Sequence, residues 1–139
     1  MNLFSQISLY LASLGTLFAA LLHFYCLYWG AEGYRILGAG ESIVKKAKEG
    51  HWYPNFTAIT VGIILTIWSL YAFSAVNPII TLPFTKVILS LIATVFLLRG
   101  VGFPLIKNRF KGNSDLFWYV SSSICLILGS LYAIGAYSV

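Results

Sequence analysis

The sequence predicts an all-α protein: a four-helix transmembrane bundle with a short interfacial helix in its first cytoplasmic loop. Two observations lead there. Hydrophobic residues make up 59% and charged residues 9% of the 139-residue chain, against roughly 25% charge in a soluble domain, and mean hydropathy is +0.84. The apolar residues also fall in blocks long enough to cross a bilayer, not in stripes of helical or strand period. The whole chain, 1–139, makes one integral membrane domain.

Spans are expected over about 7–29, 56–75, 79–102 and 116–137. The first, second and fourth hold no charged residue, and each supplies the roughly 20 apolar residues that a hydrocarbon core about 30 Å thick requires. The third carries Lys86 near its start and Arg99 near its end, where long side chains snorkel toward the headgroups. Barrel strands would be about 10 residues long and strictly alternating, which these blocks are not. The first block has no basic region before it and is longer than the 7–15 residues of a signal-peptide core, so it is expected to stay as a helix.

Four spans put both termini on one side of the membrane and the first and third loops on the other. The first loop, 30–55, holds Arg35, Lys45, Lys46 and Lys48, and the third, 103–115, holds Lys107, Arg109 and Lys111, with Arg99 just inside. The termini hold no Lys or Arg. By the positive-inside rule the two basic loops of this multi-pass protein are cytoplasmic and both termini face outward. The formal net charge of +5 then reflects attraction to the anionic leaflet, roughly 1 kcal/mol per basic residue, and does not imply nucleic-acid binding.

The first loop is longer than a simple connection needs. "GESIVKKAKEG" reads as a short surface helix with Ile43, Val44 and Ala47 on one side, Glu41 in its first turn and Lys45, Lys46 and Lys48 later, the order the helix dipole favours. "HWYPN" brings Trp52 and Tyr53 to headgroup height, and Pro54 suits the entry to the second span.

Among groups able to carry chemistry, His23 is the ionisable side chain lying within an otherwise uncharged span. It is either a functional site or a hydrogen bond across the bundle. His51 lies in a loop, so bis-histidine haem ligation is not expected, and the ligands of a zinc site are not clustered. Glu32, Glu41, Glu49 and Asp115 all fall in or beside the loops, which argues against a proton-driven exporter. Cys26 and Cys125 form no C-x-x-C and read as packing residues. No catalytic residue, metal ligand or cofactor is assigned.

One polar cluster remains at the cytoplasmic end: His23, Tyr28, Trp29, Glu32 and Arg35 around the end of the first helix, Arg99 at the end of the third, and Asp115 at the start of the fourth. Glu32 and Arg35 stand at i, i+3 and pair if the helix continues past Gly30. Arg99 calls for an acidic or headgroup partner, with Asp115 or Glu32 nearest in topology. Such a cluster either grips a lipid phosphate or locks the bundle.

"HFYCLYWGAEG" at 23–33 and "LLRGVGFPLIKNRFKGNSDLFWYVSSSICLILG" at 97–129 resemble the DUF3995 family of small bacterial four-helix membrane proteins, through His23, Trp29, Gly30, Arg99, Gly100, Phe110, Asp115 and Tyr119. Cys26, Leu27 and Tyr28 between the aromatic pair and the Lys-rich first loop depart from that pattern. The resemblance implies a small integral membrane protein and supplies no activity.

The resulting expectation is a polytopic inner-membrane protein, accessory or lipid-contacting and without catalysis. Its expected partners are membrane lipids, with a membrane protein or a second copy as further candidates. The alternative is a membrane enzyme acting on a lipid or isoprenoid through His23, Arg99 and Asp115 in a cytoplasm-facing pocket. A channel or exporter subunit comes third.

Overall fold

The computed structural model describes residues 2–36, 40–77, 79, 81–102 and 115–139, with the side chains of 115–118 excepted. The described residues form six helices: α1 (Leu3–Trp29), α2 (Ala31–Ile36), α3 (Glu41–Lys48), α4 (Tyr53–Val76), α5 (Thr85–Val101) and α6 (Asp115–Ser138). Asn2 starts α1 by accepting a 2.8 Å hydrogen bond from the Ser5 amide on its side-chain oxygen. Gly30 ends it at φ 76, a left-handed conformation that a side chain would disfavour, and α2 begins at the next residue.

Three segments are long and apolar enough to cross a membrane: Leu3–Trp29, Tyr53–Val76 and Tyr119–Ser138. The chain is therefore an all-α, polytopic membrane-spanning bundle, but not the simple four-helix bundle expected. The span expected over 79–102 shortens to the 17 residues of α5. Pro83 disfavours helix at Leu82, and Phe84 turns through left-handed φ 57, ψ 36 immediately before Thr85. What is left is about 25 Å long, short of a core about 30 Å thick. The first loop differs too, holding two helices, α2 and α3, where one was expected.

Lipid tails are as apolar as leucine, so these helices gain little by hiding from them and must associate through close packing and hydrogen bonds. Antiparallel α1 and α4 pack most extensively, as do α5 and α6, and α1 against α6 joins the two pairs. Between α1 and α4 the bond is reciprocal: Ser13 Oγ donates to the Ser69 carbonyl at 3.1 Å and Ser69 Oγ to the Ser13 carbonyl at 2.8 Å. Hydrogen-bonded Ser5 and Ser138 hydroxyls bring the two ends of the chain together. This end of the bundle is the terminal end; the opposite one, carrying α2 and α3, is the loop end.

Tyr132 touches all four long helices. It lies on α6, is fully buried, and its hydroxyl stands 2.8 Å from Thr16 Oγ1 on α1 and 3.3 Å from the Trp68 carbonyl on α4. Thr16 Oγ1 also stands 2.7 Å from the Ala12 carbonyl, so the two hydroxyls share their two hydrogens between each other and the Ala12 and Trp68 carbonyls. The Tyr132 ring stacks on Phe96 of α5, with centroids 5.8 Å apart, and Phe96 meets Trp68 edge-on at 5.4 Å.

Replacing Tyr132 should separate these contributions. In detergent, Tyr132→Phe keeps the ring and should cost about 1 kcal/mol of thermal stability, whereas Tyr132→Ala removes the ring as well and should cost about 3 kcal/mol or more. Equal losses would mean that the stack contributes nothing.

Candidate functional site at the loop end

At the loop end α2 and α3 fold back over the ends of α1 and α4. Val44 is only 8% exposed and packs with Cys26, Tyr34 and Ala58, flanked by Ile43 and Ala47. The apolar side expected for α3 is therefore turned onto the protein, and its lysines lie on the other side. Lys45 and Lys48 are exposed, and Lys46 Nζ sits 4.8 Å from the centre of the Tyr53 ring, a cation–π contact that anchors α3 to the start of α4. Tyr34 donates a 2.6 Å hydrogen bond to Asn55 Oδ1. Burial pushes its phenol above the ordinary value of 10.0, with the charge of Cys26 adding to the shift.

Among the described side chains no recorded contact joins His23, Tyr28, Trp29, the Glu32–Arg35 pair and Arg99 into one cluster. His23 is half-buried on α1, and its Nδ1 stands 2.7 Å from the Ala19 carbonyl one turn earlier. A carbonyl only accepts, so Nδ1 carries the proton and the ring is held by its own helix. Tyr28 is 92% exposed. Trp29 is exposed and meets Tyr25 edge-on at 5.4 Å. Glu32 and Arg35 do form the expected ion pair on α2, with both side chains exposed, where such a pair contributes about 0–1 kcal/mol. Asp115 opens α6, and its side chain, like the basic residues Lys107, Arg109 and Lys111, lies outside the described residues.

Arg99 has partners that the sequence reading missed. Helices α5 and α6 approach so closely that a Cβ added at Gly100 would stand 2.6 Å from Leu126 Cγ and 3.2 Å from the Ser122 carbonyl. From this position Arg99 Nη1 donates to Cys125 Sγ at 2.7 Å and to Ser121 Oγ at 2.8 Å. Ser121 is one turn nearer the loop end than Cys125, so the guanidinium reaches along α6 toward the membrane surface. Arg99 stays exposed, and among the described residues its Nε and Nη2 have no hydrogen-bond partner. The signal was present in "SSSIC": Ser121 and Cys125 are four apart, hence on one helix face, opposite an arginine on the neighbouring helix.

Among the described residues, no group of three or more His, Cys, Asp or Glu could hold a metal ion. No family model, curated protein or solved structure matches the chain.

The shifted Tyr34 phenol makes the α2–α3 platform sensitive to alkali. Its folded value is raised, so the stabilisation is fully present below the ordinary value of 10.0 and is lost as pH climbs through the raised one. Thermal unfolding in detergent should show a loss of stability as pH climbs above 10.0 that is smaller in Tyr34→Phe. At neutral pH that variant should itself lose about 1 kcal/mol with the Asn55 hydrogen bond. Identical alkaline slopes for the two proteins would refute the assignment.

Proposed function

We propose that this chain is a lipid-contacting accessory protein of the bacterial inner membrane, with α2, α3 and the basic loop residues on the cytoplasmic face and both termini outside. The observation that carries the reading is the held but half-used guanidinium of Arg99. Two of its hydrogens are taken by α6, which fixes its direction, and among the described residues its other donors have no partner, at the end of the bundle where Arg35, Lys45, Lys46 and Lys48 also lie. A planar fork of donors in that setting matches a lipid phosphate, and the surrounding positive charge favours an anionic headgroup.

In this reading α5 also crosses the bilayer, as a fourth span. Lys86 and Arg99 are 13 residues apart, about 20 Å along the helix, and snorkelling extends each cation toward its own surface. A short span bounded in this way is accommodated by local thinning of the bilayer. The resemblance to DUF3995 is in keeping with a small polytopic protein and adds no activity.

Two measurements test the proposal. Reporters fused to either terminus should register the periplasmic side, and labels introduced into loop 30–55 the cytoplasmic side; cytoplasmic termini would overturn the orientation. For the purified chain, adding phosphatidylglycerol to phosphatidylcholine nanodiscs should raise thermal stability. Arg99→Ala should lose most of that increment, Ser121→Ala part of it, and Arg99→Lys less than Arg99→Ala. An increment that survives Arg99→Ala unchanged would reject the headgroup role.

A further inference from the structure

At the terminal end, on the membrane-facing side of α5 and α6, there is an open crevice of about 360 Å³. That is within the roughly 300–1,000 Å³ typical of ligand pockets. Its existence follows from small side chains on both walls. Ala93 on α5 and Ala133 and Ala136 on α6 leave the groove between the two helices unfilled.

The chemistry of the crevice is graded along its length. Deep in it the walls are alanine and Leu97. Along the α5 wall stand Ser90 and Thr94, but their hydroxyls are turned back onto their own helix: Ser90 Oγ donates to Lys86 O and Thr94 Oγ1 to Ser90 O, both at 2.8 Å. With those donors engaged by the backbone, the wall suits hydrocarbon better than water or an ion. At the mouth, near the membrane surface, stand Lys86 and Tyr137, both exposed. Lys86 has no hydrogen-bond or ion-pair partner among the described residues. It lies in the first turn of α5, where no side chain caps the helix, so the dipole there adds to the attraction for an anion.

We propose that this crevice seats one anionic phospholipid of the outer leaflet, its phosphate on Lys86 and an acyl chain lying against Ala93, Ala133 and Ala136. Charge complementarity selects this occupant. A second copy of the chain docking symmetrically through the same crevice would bring two Lys86 ammonium groups together, whereas a phosphodiester neutralises one. The site is at the opposite end from Arg99 and does not depend on the role proposed for that residue; its assignment to the outer leaflet rests on the orientation proposed above.

The test is lipid retention by the full-length chain. Protein reconstituted with mixed phosphatidylcholine and phosphatidylglycerol is extracted in mild detergent, and bound lipid is counted by native mass spectrometry. Wild type should retain phosphatidylglycerol in preference to phosphatidylcholine. Lys86→Gln should reduce that retention about fivefold, a loss of about 1 kcal/mol at 1.4 kcal/mol per tenfold, while Lys86→Arg should preserve it. Ala133→Leu should displace the lipid by filling the crevice with the lysine intact. If Ala133→Leu fails to fold, Thr94→Leu fills it from the exposed wall. Undiminished retention in Lys86→Gln and in the folded crevice-filling variant would overturn the proposal, as would indifference to headgroup charge. Efficient cross-linking of two chains through Ser90→Cys would assign the crevice to a second copy instead. Loss of lipid in Arg99→Ala but not in Lys86→Gln would overturn this site while leaving the loop-end reading standing.

Discussion

The bundle depends on one buried tyrosine. In hydrocarbon, leucine faces do not drive helices together, so whatever joins them must be a directional contact or a shape that excludes lipid. Tyr132 supplies both. Its ring fills the space between α5 and α6 by stacking on Phe96, and its hydroxyl reaches Thr16 and the Trp68 carbonyl. One side chain thereby fixes the relative depth of four helices. The serine pair between α1 and α4 and the glycine contact between α5 and α6 set each pair internally; Tyr132 holds the pairs to each other.

With that depth fixed, the positions of the charges acquire meaning. α5 is the short helix, bounded by Lys86 and Arg99, and the two cations meet different surroundings. Arg99 leaves α5 where the helices nearly touch, so its side chain must run along α6, where Ser121 and Cys125 hold it. Lys86 stands over the open crevice, and among the described residues no side chain of α6 holds it. The same helix pair thus carries a guanidinium held by α6 at one end and, among the described residues, an unpaired ammonium at the other.

The loop end follows a different rule. α3 is amphipathic, and a basic amphipathic helix beside a membrane can place its apolar side in lipid. Here that side is covered by Tyr34, Cys26 and Ala58, which leaves a basic outer face resting on a protein foundation. In the proposed orientation, contact with the leaflet would be electrostatic and would weaken with salt, without the depth of insertion that buried apolar side chains would give.

The uninterrupted apolar blocks and the scarcity of charge by themselves determined that this is a helical, polytopic membrane protein, because only helices of that length satisfy their backbone in lipid. Local pattern also placed α1, α4 and α6 to within a few residues, the apolar side of α3 at Ile43, Val44 and Ala47, and the Glu32–Arg35 pair, since i, i+3 neighbours need no tertiary information. Only the tertiary structure decided which helix faces which. Arg99 was matched to the nearest acids in topology, but its described partners are a serine and a thiol, because the close approach at Gly100 determines what lies within reach. His23 was read as either a functional group or a hydrogen bond across the bundle, and its Nδ1 bonds its own helix. Hydropathy records how much of a helix is apolar; which neighbour a polar side chain meets is set by rotation and depth, and those are fixed by contacts between residues as distant in sequence as Thr16 and Tyr132.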